Sequence, residues 1–197
     1  MINAIFAVDF NGGMGFNGSL PWPHNAEDLQ HFKDLTSGHV VVCGRRTWDD
    51  PKMPKPLPNR TVYVATHRPV AYAMPFSGDV PAKLLEIEAA HPDKNVFVIG
   101  GVELLETARP LLDRIYLTHI KGSYRCDTRM YVKEFLAGFT PVRAHVSRDW
   151  TAAHQATAHP AGSPARAPKP HAVAVRPTFA ADSGGPDDQA APSATHH

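Results

Sequence analysis

Short apolar runs, each closed by glycine, proline or a polar turn, alternate along the chain with segments whose apolar residues recur at helical spacing. Such short, continuous apolar runs are typical of strands buried on both faces of a parallel sheet. The predicted strands are residues 2–8, 39–43, 61–65, 95–99, 113–120 and 140–147. The predicted helices are residues 26–37, 45–50, 83–90 and 102–112. The alternation predicts an α/β fold with a central, mostly parallel sheet and helices on both faces.

The C-terminal part of the chain is predicted to add an antiparallel hairpin to this sheet. Residues 140–147 form its first strand, and residues 172–175 with Phe179 form its second. Residues 151–170 are rich in Ala, Pro and His without apolar periodicity, which predicts a flexible excursion inside the hairpin. Residues 181–197 are predicted to be a disordered acidic tail. We therefore expect one domain over residues 1–180, followed by that tail.

Composition narrows the class of partner. With 197 residues, 43% hydrophobic and 20% charged, and a net charge of +1, the chain shows no global bias toward nucleic acids or anionic membranes. The sequence contains neither a signal-peptide pattern nor a run approaching the roughly 20 apolar residues of a membrane span. Cys43 and Cys126 lack metal-site spacing and are predicted to be reduced thiols. We therefore expect a cytoplasmic protein without a metal.

Two junctions between a strand and a helix carry glycine, at residues 43–45 and 99–101. Glycine there lets the backbone approach a ligand closely, and the start of the helix that follows favours anions. A long Gly/Pro-rich loop follows the first strand, and Asp28 opens the first helix behind the cap residue Asn25. Taken alone, an acid in a first helical turn most often only interacts with the helix dipole. Together these features indicate a nucleotide clamp around a small planar substrate.

The segments that carry these features resemble dihydrofolate reductases in both order and spacing. The matching blocks are MINAIFAVD, GMGFNGSLPW, EDLQHFK, CGRRTW, KPLPNRTVYVAT, VFVIGG, IYLTHI and CDTRMY, within residues 1–131. The most specific pairing is LPW at 20–22 with DLxxF at 28–32. The resemblance implies the reduction of dihydrofolate to tetrahydrofolate by hydride from NADPH, which supports thymidylate and one-carbon metabolism.

The resemblance also implies a substrate site around Asp28. Its carboxylate would accept hydrogen bonds from the pterin N3 and 2-amino groups, in an apolar setting that raises its pKa. Thr118 would hold it by a hydroxyl bond, Trp22 would guide a water that protonates N5, and Arg60 would pair with the α-carboxylate of the glutamate tail. The implied catalytic residues are Asp28, Trp22, Thr118 and Leu20. The implied substrate-binding residues are Ile5, Ala7, Asp28, Leu29, Phe32, Leu57, Arg60, Ile99 and Thr118.

The cofactor implied by the resemblance is NADPH, held at the two glycine junctions. Backbone N–H groups and two cations at residues 44–47 would meet its phosphates, and a cis peptide is implied between Gly100 and Gly101. The loop of residues 11–20 would close over the nicotinamide, with Asp127 as its partner. The implied cofactor-binding residues are Ala7, Met14, Ser19, Gly44, Arg45, Arg46, Thr47, Thr66, His67, Gly100, Gly101, Val102 and Leu104.

Two other interpretations remain open. A pyrimidine reductase of riboflavin synthesis shares the fold and NADPH but acts on a phosphorylated ribityl substrate. A non-catalytic protein that binds a pterin or a nucleotide could have kept the fold. The LPW pairing, Asp28 and Arg60 favour the dihydrofolate reductase interpretation. It implies dihydrofolate and antifolates such as trimethoprim as ligands, and a monomer without a nucleic-acid or membrane partner.

Overall fold

A computed structural model describes residues 1–146 and 150–157 of the chain. These residues fall within one compact unit that spans residues 1–165. The strands are β1 (Ile2–Val8), β2 (Gly13–Gly15), β3 (Val40–Gly44), β4 (Thr61–Ala65), β5 (Met74–Phe76), β6 (Val96–Val98), β7 (Arg114–Ile120), β8 (Thr128–Arg129), β9 (Phe139–Val146) and β10 (Trp150–Thr157). The helices are α1 (Ala26–Thr36), α2 (Arg45–Trp48), α3 (Val80–Ala90), α4 (Val102–Ala108) and α5 (Val132–Phe135), with a 3-10 turn at Arg109–Leu111.

The main sheet has eight strands in the order β5-β4-β3-β6-β1-β7-β10-β9. The first six of these are parallel to one another. Strand β10 lies antiparallel between β7 and β9, while β2 and β8 form a separate antiparallel pair. The predicted α/β sheet with a C-terminal antiparallel hairpin is confirmed.

The core lies on both faces of the sheet, because successive residues of a strand point to opposite sides. On one face Val42 packs in a cluster with Leu84 of α3 and Leu105 of α4. On the other face its neighbour Val41 packs in a cluster with Trp48 of α2. Each such buried side chain contributes roughly 1.5–3 kcal/mol to the free energy of unfolding.

The carboxyl ends of β1, β3 and β6 meet at one edge of the sheet, since these strands are neighbours and parallel. Asp9 follows β1, Gly44 ends β3, and the segment Ile99–Gly101 follows β6. Ligands of open parallel sheets bind at this carboxyl edge. The topology therefore brings the two glycine junctions together beside the first loop.

The second strand of the hairpin differs from the prediction. Residues 151–157, which were expected to begin a flexible excursion, lie in β10 and pair with β7 from Trp150 opposite Ile120 onward. Three of these seven residues are Ala and the segment has no apolar alternation, so the sequence predicted no strand there. Pairing with a strand on each side overrides weak propensity. The rest of the expected excursion, the expected strand at 172–179 and the expected tail lie outside the described residues.

The observed boundaries of two helices also differ from the predicted ones, at positions where proline or a capping residue determines the boundary. Helix α3 begins at Val80, earlier than expected, because the Asp79 side chain accepts a hydrogen bond from the Ala82 N–H at 2.7 Å and Pro81 is favourable in a first turn. Helix α4 ends at Ala108, and the next three residues form the 3-10 turn that contains Pro110. In the part of the chain that the structure describes, no helix has the length and apolar character needed to cross a bilayer.

Candidate active site

One large cavity, with a volume of about 1830 Å³, opens at the carboxyl edge of the sheet. It is lined by every residue of the three sets that the resemblance implied, catalytic, substrate-binding and cofactor-binding. Sites for a single small molecule are usually about 300–1,000 Å³. The cavity therefore has room for two ligands side by side.

Asp28 enters the cavity from the first turn of α1. Asn25 caps this helix, and its side-chain oxygen accepts a hydrogen bond from the Asp28 N–H at 3.0 Å. Burial raises the pKa of the Asp28 carboxyl above its ordinary value, and a hydrogen bond with the Thr118 side chain opposes that rise. Thr118 lies on β7 and is buried. Because a carboxylate has about four acceptor positions, Asp28 keeps acceptor capacity for a ligand.

Trp22 is a buried side chain on the same wall. Its ring packs edge-on against Tyr124, with ring centroids 6.1 Å apart, in a small cluster that also contains Ile120 and Ala7. Leu20, two residues earlier, is largely exposed at the rim of the cavity. Trp22 is therefore fixed by packing, whereas Leu20 is a partly exposed residue of the cavity lining.

Arg60 is held in place by hydrogen bonds at the outer part of the cavity. Its Nε donates to the Thr36 hydroxyl at 3.1 Å and one terminal nitrogen donates to the Pro58 carbonyl at 2.9 Å. Its guanidinium lies 5.7 Å from the centre of the Phe32 ring. Two of the five N–H donors are used in these bonds, and the others are suited to a carboxylate. Partial burial lowers the pKa of Arg60.

The two glycine junctions are in contact with each other. The Gly44 N–H donates to the Gly100 carbonyl at 2.7 Å, and the Gly100–Gly101 peptide is cis, as the resemblance implied. A Cβ atom at position 44 would lie 3.4 Å from the Gly101 nitrogen, at the lower limit of ordinary van der Waals contact. All three glycines line the cavity, so the two junctions form one continuous part of its wall.

Two buried polar atoms of the cavity wall lack a hydrogen-bond partner within the described residues, the Arg45 Nη1 and the Ser19 hydroxyl. Arg45 also donates from Nε to Asp49 at 2.7 Å, which orients its guanidinium. A buried donor without a partner is costly, so such atoms mark positions where a polar ligand fits. Within the same residues, no group of His, Cys, Asp or Glu is arranged to hold a metal ion.

The loop of residues 11–20, which was expected to close over the nicotinamide with Asp127 as its partner, carries strand β2, which pairs with β8. The Asn17 N–H donates to the Asp127 carboxylate at 2.7 Å, and the Asp127 N–H donates to the Gly15 carbonyl at 3.0 Å. The bond from Asn17 lowers the pKa of Asp127. The expected pairing of this loop with Asp127 is thus present.

Sequence reasoning missed several residues at or beside the site. Phe76 and Val80 line the cavity because strand β5 and the start of α3 lie beside it; a strand of three residues carries no periodicity to detect. Asp9, buried directly after β1, was also missed. The signal available for it was an acid that ends an apolar run and precedes Gly12 and Gly13.

Comparisons with known proteins agree with this geometry. The family model described as dihydrofolate reductase matches residues 1–149. The chain is 36% identical to dihydrofolate reductase of Bacillus subtilis over 129 residues, which cover 64% of this chain and 73% of that protein. It is 33% identical to dihydrofolate reductase type 9 of Escherichia coli over 142 residues, or 68% of this chain and 78% of that one.

A similar solved structure is dihydrofolate reductase from Enterococcus faecalis in complex with NADP(H) and RAB-propyl. It superimposes with a TM-score of 0.66 at 24% sequence identity and covers 79% of this chain and 95% of its own. That likeness supports the fold, while the family model and the two relatives establish the lineage. The chain belongs to the dihydrofolate reductase family.

Proposed function

We propose that this chain reduces 7,8-dihydrofolate to 5,6,7,8-tetrahydrofolate with NADPH, and so serves thymidylate and one-carbon metabolism. The observation that carries the proposal is the Asp28 carboxyl, whose pKa is raised by burial in the cavity that the two glycine junctions also line. A carboxyl group with a shifted pKa in a cleft is expected to be functional. Its position in the same cavity as backbone groups suited to binding phosphate fits a reductase.

The pterin would be held by Asp28, whose two oxygens accept hydrogen bonds from N3 and the 2-amino group. The hydrogen bond with Thr118 would fix the orientation of the carboxylate. At the other end Arg60 would pair with the α-carboxylate of the glutamate tail, from a guanidinium already fixed by Thr36 and Pro58. The apolar wall between them is formed by Ile5, Ala7, Leu29, Phe32, Leu57 and Ile99.

The cofactor site is consistent with an anionic dinucleotide. Arg45 and Arg46 would face its phosphates at the start of α2, and the Arg45 Nη1 and Ser19 hydroxyl would gain the partners that they lack within the described residues. Thr66 and His67, at the end of β4, would select the 2′-phosphate of NADPH. The remaining wall is formed by Ala7, Met14, Gly44, Thr47, Gly100, Gly101, Val102 and Leu104. When bound, NADPH supplies the hydride.

The residues of the chain would act mainly by positioning the substrate and the cofactor and by excluding water. Asp28 would set the polarity of the pterin so that N5 takes a proton from a water guided by Trp22, while Leu20 and the loop over residues 11–20 limit access of bulk water. Cationic antifolates would bind at the same carboxylate, because an opposite charge favours its ionised form.

The test is an absorbance assay of NADPH oxidation with dihydrofolate, made on the wild type and Asp28→Asn. We expect the variant to lose about 10²-fold or more in kcat/KM at neutral pH, with partial recovery on acidification as the substrate is protonated from solution. Asp34→Asn is the matched control, because Asp34 lies on the same helix and accepts only a local bond from Gln30 among the bonds described, at 2.7 Å.

Two outcomes would overturn the proposal. Binding of NADPH and dihydrofolate without turnover would indicate the non-catalytic interpretation. Oxidation of NADPH with a phosphorylated ribityl-pyrimidine but not with dihydrofolate would indicate the riboflavin-pathway reductase.

A further inference from the structure

Asp9 is a buried carboxylate with no part in the proposed chemistry. It follows β1 directly and is 1% exposed. Its Oδ1 accepts hydrogen bonds from the Asn11 N–H at 2.8 Å and the Gly13 N–H at 2.7 Å. Its Oδ2 accepts one from the Tyr124 N–H at 2.8 Å. The two oxygens thus join two segments far apart in the chain, the first loop and the segment after β7.

The hydrogen bonds are strong enough to keep this acid ionised. Burial alone would raise the pKa of Asp9, but the backbone bonds from Tyr124, Gly13 and Asn11 outweigh it and lower the pKa below its ordinary value. Charge-assisted bonds of this kind are roughly twice as strong as neutral ones. The link between the two segments is therefore a firm one.

The space around the carboxylate is closely packed. The Cys126 sulfur lies 3.9 Å from Oδ2. A Cβ atom at position 13 would lie 3.0 Å from Oδ1 and 2.3 Å from the Cys126 sulfur. Movement of Asp9 would therefore move both segments together.

The segment after β7 continues to the active site through Tyr124. Its backbone N–H is held by Asp9, and its ring packs edge-on against Trp22 at 6.1 Å between centroids. Trp22 and Ile120 form a small buried cluster, against which Tyr124 and Ala7 pack, and both Trp22 and Ala7 line the cavity. Asp9 is thus connected to Trp22 through a single residue.

We propose that Asp9 is a positioning residue for the reduction, because it holds the backbone of Tyr124, whose ring packs against Trp22 at the cavity. This inference rests on the proposed function and goes beyond it, since Asp9 does not line the cavity. A purely structural acid would contribute to the free energy of unfolding alone. Substitution of a positioning acid also changes the rate of the step that depends on Trp22.

Asp9→Asn affects the hydrogen bonds to the first loop and the hydrogen bond to Tyr124 differently. The amide oxygen can still accept from Asn11 and Gly13, but the amide nitrogen then faces the Tyr124 N–H, donor against donor. We expect kcat to fall about 10-fold, in the range set by small misplacements near the reacting atoms, with KM for dihydrofolate unchanged within about twofold. The primary isotope effect on kcat with 4-deuterated NADPH should rise.

Asp113→Asn is the matched control. Asp113 accepts a hydrogen bond from the Ile2 N–H at 2.7 Å, at the opposite end of β1 from Asp9. Its replacement should lower the melting temperature while kcat and the isotope effect stay at wild-type values. Equal changes of kcat in both variants would overturn the inference.

The second measurement does not need turnover. The chain has three tryptophans, so 5-fluorotryptophan labelling gives three fluorine resonances, of which that of Trp22 is identified by its loss in Trp22→Phe. We expect Asp9→Asn to shift the Trp22 resonance and Asp113→Asn to leave it unchanged. An unshifted resonance with wild-type kcat in Asp9→Asn overturns the inference alone, whereas a wild type that does not oxidise NADPH with dihydrofolate overturns the proposed function.

If Asp9→Asn fails to fold, Tyr124→Leu carries the test. It keeps the backbone bond to Asp9 and removes the ring beside Trp22, so it should reproduce the loss of kcat and the shifted resonance. Tyr124→Phe keeps the ring and loses only the hydroxyl bond to the Lys121 carbonyl at 3.2 Å, so it should behave as the wild type. Wild-type kcat in Tyr124→Leu would overturn the inference.

Discussion

Thr118 of β7 and Asp28 of the first turn of α1 both line the cavity, and side-chain hydrogen bonding from Thr118 lowers the pKa of Asp28. Burial and this bond act on the pKa of Asp28 in opposite directions, with burial the larger of the two. The ionisation of Asp28 is therefore set mainly by burial and modulated by Thr118, a residue of another element where it can be altered.

Thr118→Val removes the hydroxyl and keeps the shape of the side chain. We expect the pKa of Asp28 to rise further, so the pH at which kcat/KM changes with its ionisation should move upward. The loss of a hydrogen bond to a charged group should also lower kcat/KM at neutral pH by about 10-fold. The measurement is a pH profile of kcat/KM, with Thr61→Val, on β4 and away from the cavity, as the control. An unmoved profile in Thr118→Val contradicts the assignment.

Asp28→Asn should make the protein more stable at neutral pH although it is less active. The ordinary pKa of 3.8 applies to the unfolded chain and burial raises the folded value, so the folded state binds the proton more tightly. Wild-type stability therefore falls as pH rises through the interval between these two pKa values, and it stays lower above it. We expect the melting temperature of the variant to exceed that of the wild type by about 2–4 °C at pH 7.

Melting curves between pH 4 and pH 8 check this expectation. The difference in melting temperature should shrink toward pH 4, where the folded wild type is increasingly protonated. Asp34→Asn, on the exposed side of the same helix, should change the melting temperature little at any pH. A variant less stable than the wild type at pH 7 would show that Asp28 contributes to folding.

Most of the sheet could be predicted from sequence because its central strands are buried on both faces. Residues such as Val41 and Val42 in β3 are both fully buried, so the whole run is apolar and stands out. Strand β5 is exposed at an edge and only three residues long, and β10 has Ala at three of its eight positions. For these strands tertiary pairing decides, and the local sequence shows no pattern.

The residues that line the site could be predicted, but the contacts that hold them in place could not. The resemblance named residues that all line one cavity, yet Asp9 and the Thr36 hydroxyl that holds Arg60 were not named. Their partners, Tyr124 and Arg60, are distant along the chain. A single sequence contains no signal for such pairs, since hydrogen bonding to a remote residue leaves no local periodicity.

Thr36→Val should weaken the binding of the glutamate tail without changing the binding of the pterin ring. The Thr36 hydroxyl donates to the Phe32 carbonyl at 2.8 Å and accepts from Arg60 Nε at 3.1 Å, so its loss removes one of the two hydrogen bonds that hold the guanidinium. We expect KM for dihydrofolate to rise about 3–10-fold, with kcat within about twofold, because one hydrogen bond to Arg60 is lost. A dihydropterin without the glutamate tail does not reach Arg60, so its KM should be unchanged.

Ser37→Ala is the control for that variant. Ser37 also donates from its hydroxyl to a carbonyl one turn earlier, that of Lys33 at 2.7 Å, but it is exposed. It should leave both KM values at the wild-type level. A rise in KM for the truncated dihydropterin in Thr36→Val would mean that the substitution disturbs the whole helix.

Gly13→Ala should disturb the loop that covers the cavity. The added Cβ would lie 2.3 Å from the Cys126 sulfur and 3.0 Å from the Asp9 carboxylate, so β2 must shift away from its partner segment. Overpacking of this kind costs about 1–3 kcal/mol. We expect a lower melting temperature and a several-fold lower kcat. Cys126→Ala in the same chain removes the closest clash and should restore part of both, whereas no restoration would place the defect elsewhere.

The two thiols should differ in reactivity toward an aromatic disulfide reagent. Burial raises the pKa of Cys43 to about 12, and this side chain is fully buried in β3. At pH 8 only about one part in ten thousand would be thiolate, which is the reactive form. Cys126 is half-buried, and burial together with Asp9 raises its pKa as well. We therefore expect one slowly reacting thiol in the native protein, none in Cys126→Ala, and two after unfolding in the wild type. Rapid reaction of two thiols in the native state would contradict the burial of Cys43.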